Sequence, residues 1–266
     1  MLKDVALGQY YPVDSALHRL DPRTKLAGTL IYIVALFFCN NWQSYALATI
    51  FLAVSISLSR VPLSYMLRGL KGIIFILLIS VSFNLFLTDG KVLWQWKFIK
   101  ITAEGLVLAG FMALRLVYLV VGSTIMTLTT TPNALTQGME RGLGFLKVFR
   151  VPVHEIAMMM SIALRFIPIL MEETDKIMKA QMARGADFES GNMIRKAHAM
   201  VPLLVPLFVS AFRRATDLAM AMEARCYHGG EGRTQMKPLR YKRADRIAYA
   251  IQLFFLVAVV CCRVLF

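Results

Sequence analysis

LAGTLIYIVALFFCNNWQSYALATIFLAVSISLS, residues 26–59, is the stretch that decides the fold, because it contains no charged residue. A polar break at residues 40–44 (NNWQS) divides it into two apolar halves. A membrane-spanning helix needs about 20 apolar residues, so each half is a little short. We expect two spanning helices joined by a tight turn, with Trp42 at a membrane interface.

The composition of the whole chain points to the same class. Of 266 residues, 58% are hydrophobic and 17% are charged, with a mean hydropathy of +0.59. Soluble domains are nearer a quarter charged, so we predict an integral membrane protein. The net charge of +14 lies beside the apolar runs, as the positive-inside rule expects. In a nucleic-acid-binding protein, long apolar runs would not separate the Lys and Arg residues from one another. No nucleic-acid partner is therefore expected.

Three further apolar stretches predict spans, at residues 72–88, 105–131 and 247–262. The second is interrupted by Arg115, and an Arg at the centre of a membrane helix costs about 2.5–3.5 kcal/mol. We therefore expect Arg115 to face protein or water. Residues 91–104 are predicted to form an interfacial loop.

The second half of the chain changes character, because charges appear every few residues while the apolar content stays high. Apolar residues recur at helical spacing over residues 153–185 and 201–226, which predicts two long amphipathic helices rather than simple spans. The predicted stripe of the first helix consists of Ile167, Leu170, Met171, Ile177, Met178 and Met182. That of the second consists of Phe208, Ala211, Phe212, Ala215, Leu218, Ala219 and Met222.

The sequence thus predicts an all-α membrane protein with about five spans plus long amphipathic cytoplasmic helices. We divide it into an N-terminal membrane part (1–131), a cytoplasmic or juxtamembrane part (132–246) and a C-terminal transmembrane helix (247–266). Counting turns from a cytoplasmic N-terminus places residues 60–71 and 132–246 inside, where most of the Lys and Arg lie. Gly185 and the pair Gly229-Gly230 are predicted to stop the two amphipathic helices.

Motifs for catalysis or cofactor binding are missing from the sequence. It holds neither the Gly-rich phosphate-binding loop of NTPases nor a nucleophile elbow, and His154-Glu155 lacks the second His of a zinc protease. The four cysteines form no C-x-x-C pair and are expected to be free, as small apolar side chains. We therefore expect a non-enzyme without cofactor or metal.

A near-repeat stands out in the basic half. Ala183-Arg184-Gly185 recurs as Ala224-Arg225-Cys226, each time at the predicted end of an amphipathic helix. One reading makes both arginines ordinary juxtamembrane cations. The other makes them docking points, because small neighbours allow a partner surface to approach and an Arg fork can bridge carboxylates or carbonyls.

The 16 methionines also allow two interpretations. Those at 158–160, 171, 178, 182, 220 and 222 either fill gaps in a core or form an adaptable docking surface.

These residues resemble a known family, the transmembrane coupling components (EcfT) of energy-coupling-factor importers. The matching stretches are DPRTKL (21–26), MMSIALRFIP (159–168), KAQMARG (179–185) and AMEARCY (221–227). The likeness covers essentially the whole length, and the two Ala-Arg-x tips are its most specific part. The second tip usually ends in Gly or Ser, whereas Cys226 takes that place here.

The resemblance implies a subunit that couples two cytoplasmic ABC-type ATPases (EcfA and its paralogue) to a membrane S component that binds a vitamin or micronutrient. It also implies a bacterial cell membrane location and the shared-module type, in which one such subunit serves several S components. The ATPase-docking residues would be Ala183, Arg184, Gly185, Ala224, Arg225 and Cys226. The same-class alternative is a subunit dedicated to one substrate, such as cobalt, nickel or biotin. A different-class alternative, an intramembrane enzyme or secondary carrier, would need a polar site within the spans, for which only Asn84 and Arg115 qualify.

Overall fold

The computed structural model describes residues 10–96, 99–186, 188, 193–230, 236 and 238–265. The helices of these residues are α1 (Pro22–Phe38), α2 (Trp42–Ser59), α3 (Leu63–Lys71), α4 (Ile74–Leu87), α5 (Ala103–Thr129), α6 (Pro132–Gly142), α7 (Val153–Ala183), α8 (Met193–Glu223) and α9 (Arg243–Leu265). A 3₁₀ helix (Leu143–Phe149) precedes α7, and two short strands, β1 (Val92–Trp96) and β2 (Ile99–Thr102), lie between α4 and α5. The chain is thus an all-α membrane protein apart from one small hairpin.

The described residues form two compact units. The larger unit contains residues 10–141 and 239–265, so that α9 belongs with the N-terminal helices. The α7–α8 unit contains residues 142–238. These two units are defined by contacts between residues. The three parts proposed from the sequence were defined by its apolar stretches, and that division stays a prediction.

Aromatic rings and small residues build the core of the larger unit. The Phe51 ring stacks on Phe255 with centroids 4.3 Å apart, and Tyr45 stacks on Phe111 at 5.0 Å. Helices α1, α2, α5 and α9 meet around these rings. Gly122 allows a close approach between α5 and α1, because a Cβ there would lie 2.3 Å from the Tyr32 ring.

Four described helices are long and apolar enough to cross a membrane: α2, α5, α7 and α9. Helices α3 and α4, bent by 65° at their junction, make a fifth candidate if they act as one span. The expected number of about five spans is therefore confirmed, but their identity differs in two places. Helix α1 has 17 residues and a length of about 25 Å, slightly less than the hydrocarbon core. Helix α7 joins the candidates because its charges are concentrated in its second half.

The loop predicted at 91–104 was wrong in part. Strands β1 and β2 pair antiparallel in this segment, with Gln95 opposite Lys100 and an irregularity between Val92 and Trp94. The sequence prediction missed them because the run is short and rich in Trp and Lys. Its alternation of apolar and polar residues is the signal that could have shown the strands.

The predicted stripe on α8 is covered only in part by α7, and five of its residues line the groove between the two helices. Phe208 and Phe212 are exposed, at 59% and 71%. The side of α8 that lines the groove shared with α7 includes Arg214, which is not one of the residues of the predicted stripe. A charged residue fits there because its guanidinium pairs with Glu173 of α7 at 3.5 Å.

Candidate docking site at two helix ends

The end of α7 is closed by a Schellman motif. The Gly185 N–H donates to the Met182 carbonyl at 2.9 Å, and the Ala186 N–H donates to the Gln181 carbonyl at 3.0 Å. These bonds satisfy carbonyls that the end of a helix otherwise leaves without donors. Gly185 therefore stops α7, as the sequence predicted.

The end of α8 repeats this motif bond for bond. The Cys226 N–H donates to the Glu223 carbonyl at 2.8 Å, and the Tyr227 N–H donates to the Met222 carbonyl at 3.1 Å. Helix α8 therefore ends at Glu223, six residues before Gly229. The prediction that Gly229-Gly230 stops this helix was wrong, because Cys226 takes the turning position first.

The two motifs place Arg184 and Arg225 at equivalent positions, one residue before the turn. The residue after each Arg is left-handed, with φ of +88° at Gly185 and +53° at Cys226. A residue with a Cβ pays about 1–2 kcal/mol for this conformation, whereas glycine does not. Gly185 and Cys226, the last residues of the two tips, thus serve to end the helices, independently of any docking partner.

All six residues of the two tips are exposed. Within the described part of the chain, neither the Arg184 nor the Arg225 guanidinium has a hydrogen bond or ion pair. Arg214 differs, because Glu173 neutralises it. The tips therefore present two charged forks that are available to a partner.

Helices α7 and α8 run past each other in opposite directions. Gly230, just beyond α8, lies against His154 at the start of α7, and Arg214 lies against Glu173 further along. From the first contact to the second, the residue number increases along α7 and decreases along α8, so the two helices are antiparallel. Arg184 and Arg225 therefore lie at opposite ends of the pair, roughly 35 Å apart at 1.5 Å per residue.

A groove of about 310 Å³ lies between the two helices. It is apolar except for Arg214 and is lined by Ile162, Phe166, Leu170, Ala211, Ala215, Leu218, Ala219 and Met222. The pair is thus packed loosely at its crossing. Pro168 lies in the middle of α7, and Pro202 and Pro206 lie in the first half of α8. Each proline removes one helical hydrogen bond and favours a bend.

Comparison with known proteins gives the chain its family. The family model described as "Cobalt transport protein" (CbiQ) matches residues 14–236. The chain is 55% identical over 250 residues to the energy-coupling factor transporter transmembrane protein EcfT of Clostridium kluyveri, covering 93% of both chains. It is 51% identical to the EcfT proteins of Ruminiclostridium cellulolyticum and Bacillus subtilis, covering 97% or more of each chain in both comparisons.

This chain belongs to the EcfT family. The family resemblance seen in the sequence is thereby confirmed, and the protein is a multi-pass membrane component of a transporter. The relatives are named as transmembrane transporter components.

One cluster was not predicted from the sequence, although part of it lies in the DPRTKL stretch. The buried Asp245 carboxylate of α9 accepts the Asp21 N–H at 2.8 Å and the Lys242 N–H at 2.7 Å. Asp21 in turn caps α1 through the Arg23 N–H and pairs with the Arg23 guanidinium at 3.0 Å. The cluster joins the start of α1 to the start of α9, and only Asp21 and Arg23 were visible as a motif.

Arg115 faces protein, as predicted. Its guanidinium donates to the Cys39 carbonyl at 2.7 Å and to the Asn40 side chain at 3.2 Å. It therefore holds the end of α1 and the turn that follows. Asn84, the other candidate of the enzyme hypothesis, donates to the Ser80 carbonyl of its own helix at 2.8 Å. Both polar groups thus have structural partners.

Candidate metal ligands are not grouped in the described residues, where no set of three His, Cys, Asp or Glu side chains could hold an ion. The four cysteines are free. Residues 231–235, which belong to the predicted cytoplasmic or juxtamembrane part, lie outside the described residues.

Proposed function

We propose that this chain is the energy-coupling subunit of an energy-coupling-factor importer. In this proposal two cytoplasmic ATPases dock on the tips at Arg184 and Arg225. The subunit transmits their ATP-driven motion to an S component that binds a vitamin or micronutrient. The subunit itself is not an enzyme, and ATP is hydrolysed by its partners.

The observation that carries the proposal is the duplicated tip. The same Schellman motif presents an exposed Arg, unpaired among the described residues, at each end of one helical pair. A single exposed Arg would be an ordinary surface charge, but two copies at opposite ends suit two similar partners. Two related ATPases are partners of this kind.

The chemistry of docking follows from the Arg fork. A guanidinium offers five donors in a fixed plane, so it bridges a carboxylate or two carbonyls. Hydrogen bonds to a charged group contribute about 1.5–3 kcal/mol each. Exposed tips with small flanking residues allow such a fork to enter a groove on each ATPase.

Transmission follows from the position of the tips. When ATP binding brings two ATPases together, the grooves that hold the tips also approach each other. The antiparallel pair α7–α8 then has to change its crossing, since the tips are its ends. The loose groove around Arg214 and the three prolines, each of which removes one helical hydrogen bond, lower the energy needed for such a change.

The orientation of the membrane helices is part of the proposal. The starts of α1 and α9 lie together at the Asp21–Asp245 contact, and the end of α5 joins them because the Lys25 ammonium donates to the Thr129 carbonyl at 2.7 Å. The segment at the start of α9 also carries four exposed basic residues, Arg240, Lys242, Arg243 and Arg246. The positive-inside rule then favours a cytoplasmic location for it, in a bacterial cell membrane.

The same-class alternative is a subunit dedicated to one substrate. The description of the family model names cobalt transport, whereas the relatives at 45–55% identity carry the general EcfT name. We favour the shared type on the likeness of the tips and the length covered. Gene neighbourhood distinguishes the two, because a single adjacent S-component gene would favour a dedicated subunit.

The proposal is tested by affinity purification of the tagged chain from its own cells, followed by mass spectrometry. We expect two ATPases and at least one small membrane S component to be retained. The isolated chain should bind no ATP, since its sequence has no phosphate-binding loop. Retention of no ATPase, or saturable ATP binding by the chain alone, would contradict the proposal.

A further inference from the structure

A basic segment precedes the apolar part of α9. Arg240, Lys242, Arg243 and Arg246 are all exposed. None of the four has an ion pair within the described ranges of the chain. Four unpaired cations therefore lie within seven residues at the point where α9 becomes apolar.

The one acidic residue among described residues 238–246 does not neutralise this segment. Asp245 is 1% exposed, and both of its carboxylate oxygens are occupied by backbone N–H groups of Asp21 and Lys242. Its charge is turned inward. The outward face of the segment consequently carries positive charge alone.

The backbone of the segment is also held in place. The Arg23 guanidinium donates to the Leu239 carbonyl at 3.3 Å and lies 4.0 Å from the centre of the Tyr241 ring. Asp245 fixes the next turn. Charges that only direct membrane insertion need no fixed conformation, whereas a binding site gains affinity when its groups are held before the ligand arrives.

An apolar strip continues from the charges along the same side of α9. Arg243, Ile247, Ile251 and Phe254 are spaced by four, four and three residues, which places them on one face of a helix. The three apolar side chains are 60%, 53% and 74% exposed. A cation at the interface above an exposed apolar strip matches a ligand with an anionic head and an acyl chain.

We propose that this surface binds an anionic phospholipid. The headgroup phosphate would be held by Arg243 and Arg246, with Arg240 and Lys242 adding charge, and one acyl chain would lie along Ile247, Ile251 and Phe254. Arg forks bind phosphate oxygens in a bidentate manner. Basic residues beside a membrane helix attract anionic lipids. The inference does not depend on the coupling function.

The test uses the purified full-length chain in nanodiscs of phosphatidylglycerol mixed with phosphatidylcholine, compared with phosphatidylcholine alone. Native mass spectrometry counts the lipid retained after release, and displacement of a fluorescent phosphatidylglycerol gives its affinity. We expect selective retention of phosphatidylglycerol by the wild type. The variant R243Q/R246Q should bind it about fivefold more weakly for each charge removed.

Two comparisons make the test specific. R243K/R246K keeps both charges and the topology signal, and it should show an intermediate loss because an ammonium is not bidentate. K176Q/K179Q removes two exposed cations of α7 and should leave lipid affinity unchanged. Equal retention of both lipids by the wild type, or unaltered affinity in R243Q/R246Q, would overturn the proposal. Binding of soluble glycerophosphoglycerol as tightly as the lipid would overturn the acyl-chain contact.

Discussion

Gly185 and Cys226 occupy the same left-handed position of two identical helix ends, with φ of +88° and +53°. Each follows the Arg of its tip and donates its N–H to the carbonyl three residues earlier. The left-handed conformation is unfavourable at Cys226 but not at Gly185, because only Cys226 carries a Cβ. The second tip thus bears a strain that the first does not.

This difference can be measured as stability. Cys226→Gly should raise the free energy of unfolding by up to about 1 kcal/mol, and Cys226→Val should lower it, because a β-branched residue resists a positive φ. Gly185→Ala should lower it by about 1–2 kcal/mol. Thermal unfolding of the purified chain in detergent reports all three. Since both sites are exposed, an equal effect of Gly and Val at 226 would show that the backbone explanation is wrong.

The acid sensitivity of the chain should depend on Asp21. Burial raises the pKa of its carboxyl, but the hydrogen bonds and charge of Arg23 outweigh burial and hold the pKa below the ordinary value of 3.8. A folded-state pKa below the unfolded one gives stability that is complete above about pH 4 and lost as the pH falls through the folded value. The wild type should therefore lose thermal stability below about pH 4 more steeply than Asp21→Asn. Parallel curves for the two proteins would contradict this role.

Arg115 should matter for stability rather than for chemistry. Arg115→Met removes the donor of the Cys39 carbonyl, which should cost about 1–3 kcal/mol. Asn84→Ala, the control, removes a bond within one helix and should cost less. Thermal unfolding measures the loss, and uptake per folded molecule should stay near the wild-type value in both variants. Abolished uptake by well-folded Arg115→Met would revive a transport or catalytic site in the membrane.

The membrane orientation can be tested by labelling single cysteines in a cysteine-free background. We expect positions 185 and 230 to be protected from an impermeant thiol reagent in intact cells, while position 89 is labelled. A cysteine at 149, just before α7, should behave like position 185 if α7 does not cross the bilayer. Opposite behaviour of 149 and 185 would show that α7 is a span.

The sequence predicted those parts of the fold that depend on local pattern. The uncharged run at 26–59 predicted α1, α2 and the turn at Trp42, and Gly185 predicted where α7 ends. Contacts between residues that are distant in the sequence could not be predicted from local patterns. The burial of Asp245 depends on Asp21, more than two hundred residues away, and the inward position of Arg214 depends on Glu173. A charge neutralised by a distant partner looks like a surface charge in the sequence.

For the candidate site, too, local features could be predicted from the sequence and long-range placement could not. The identity of the tips came from the sequence, but their placement at opposite ends of an antiparallel pair came from contacts such as Gly230 against His154. The conformation of Cys226 was also hidden, because the sequence suggested Gly229-Gly230 as the stop. A glycine pair is the stronger local signal, yet the backbone bonds of α8 close earlier.

Arg184 and Arg225 are the residues proposed to dock the two ATPases. The most direct test measures vitamin uptake and ATPase retention for Arg184→Ala, Arg225→Ala and the double variant, with Lys179→Ala as an exposed cation of α7 outside the tips. Cutting one partner of a buried charge pair costs about 2–5 kcal/mol, so each single variant should be partly impaired and the double variant nearly inactive. Arg→Lys variants should also be impaired, because an ammonium does not replace the fork. Wild-type uptake and ATPase retention in the double variant would contradict the claim and leave the two arginines as ordinary juxtamembrane charges.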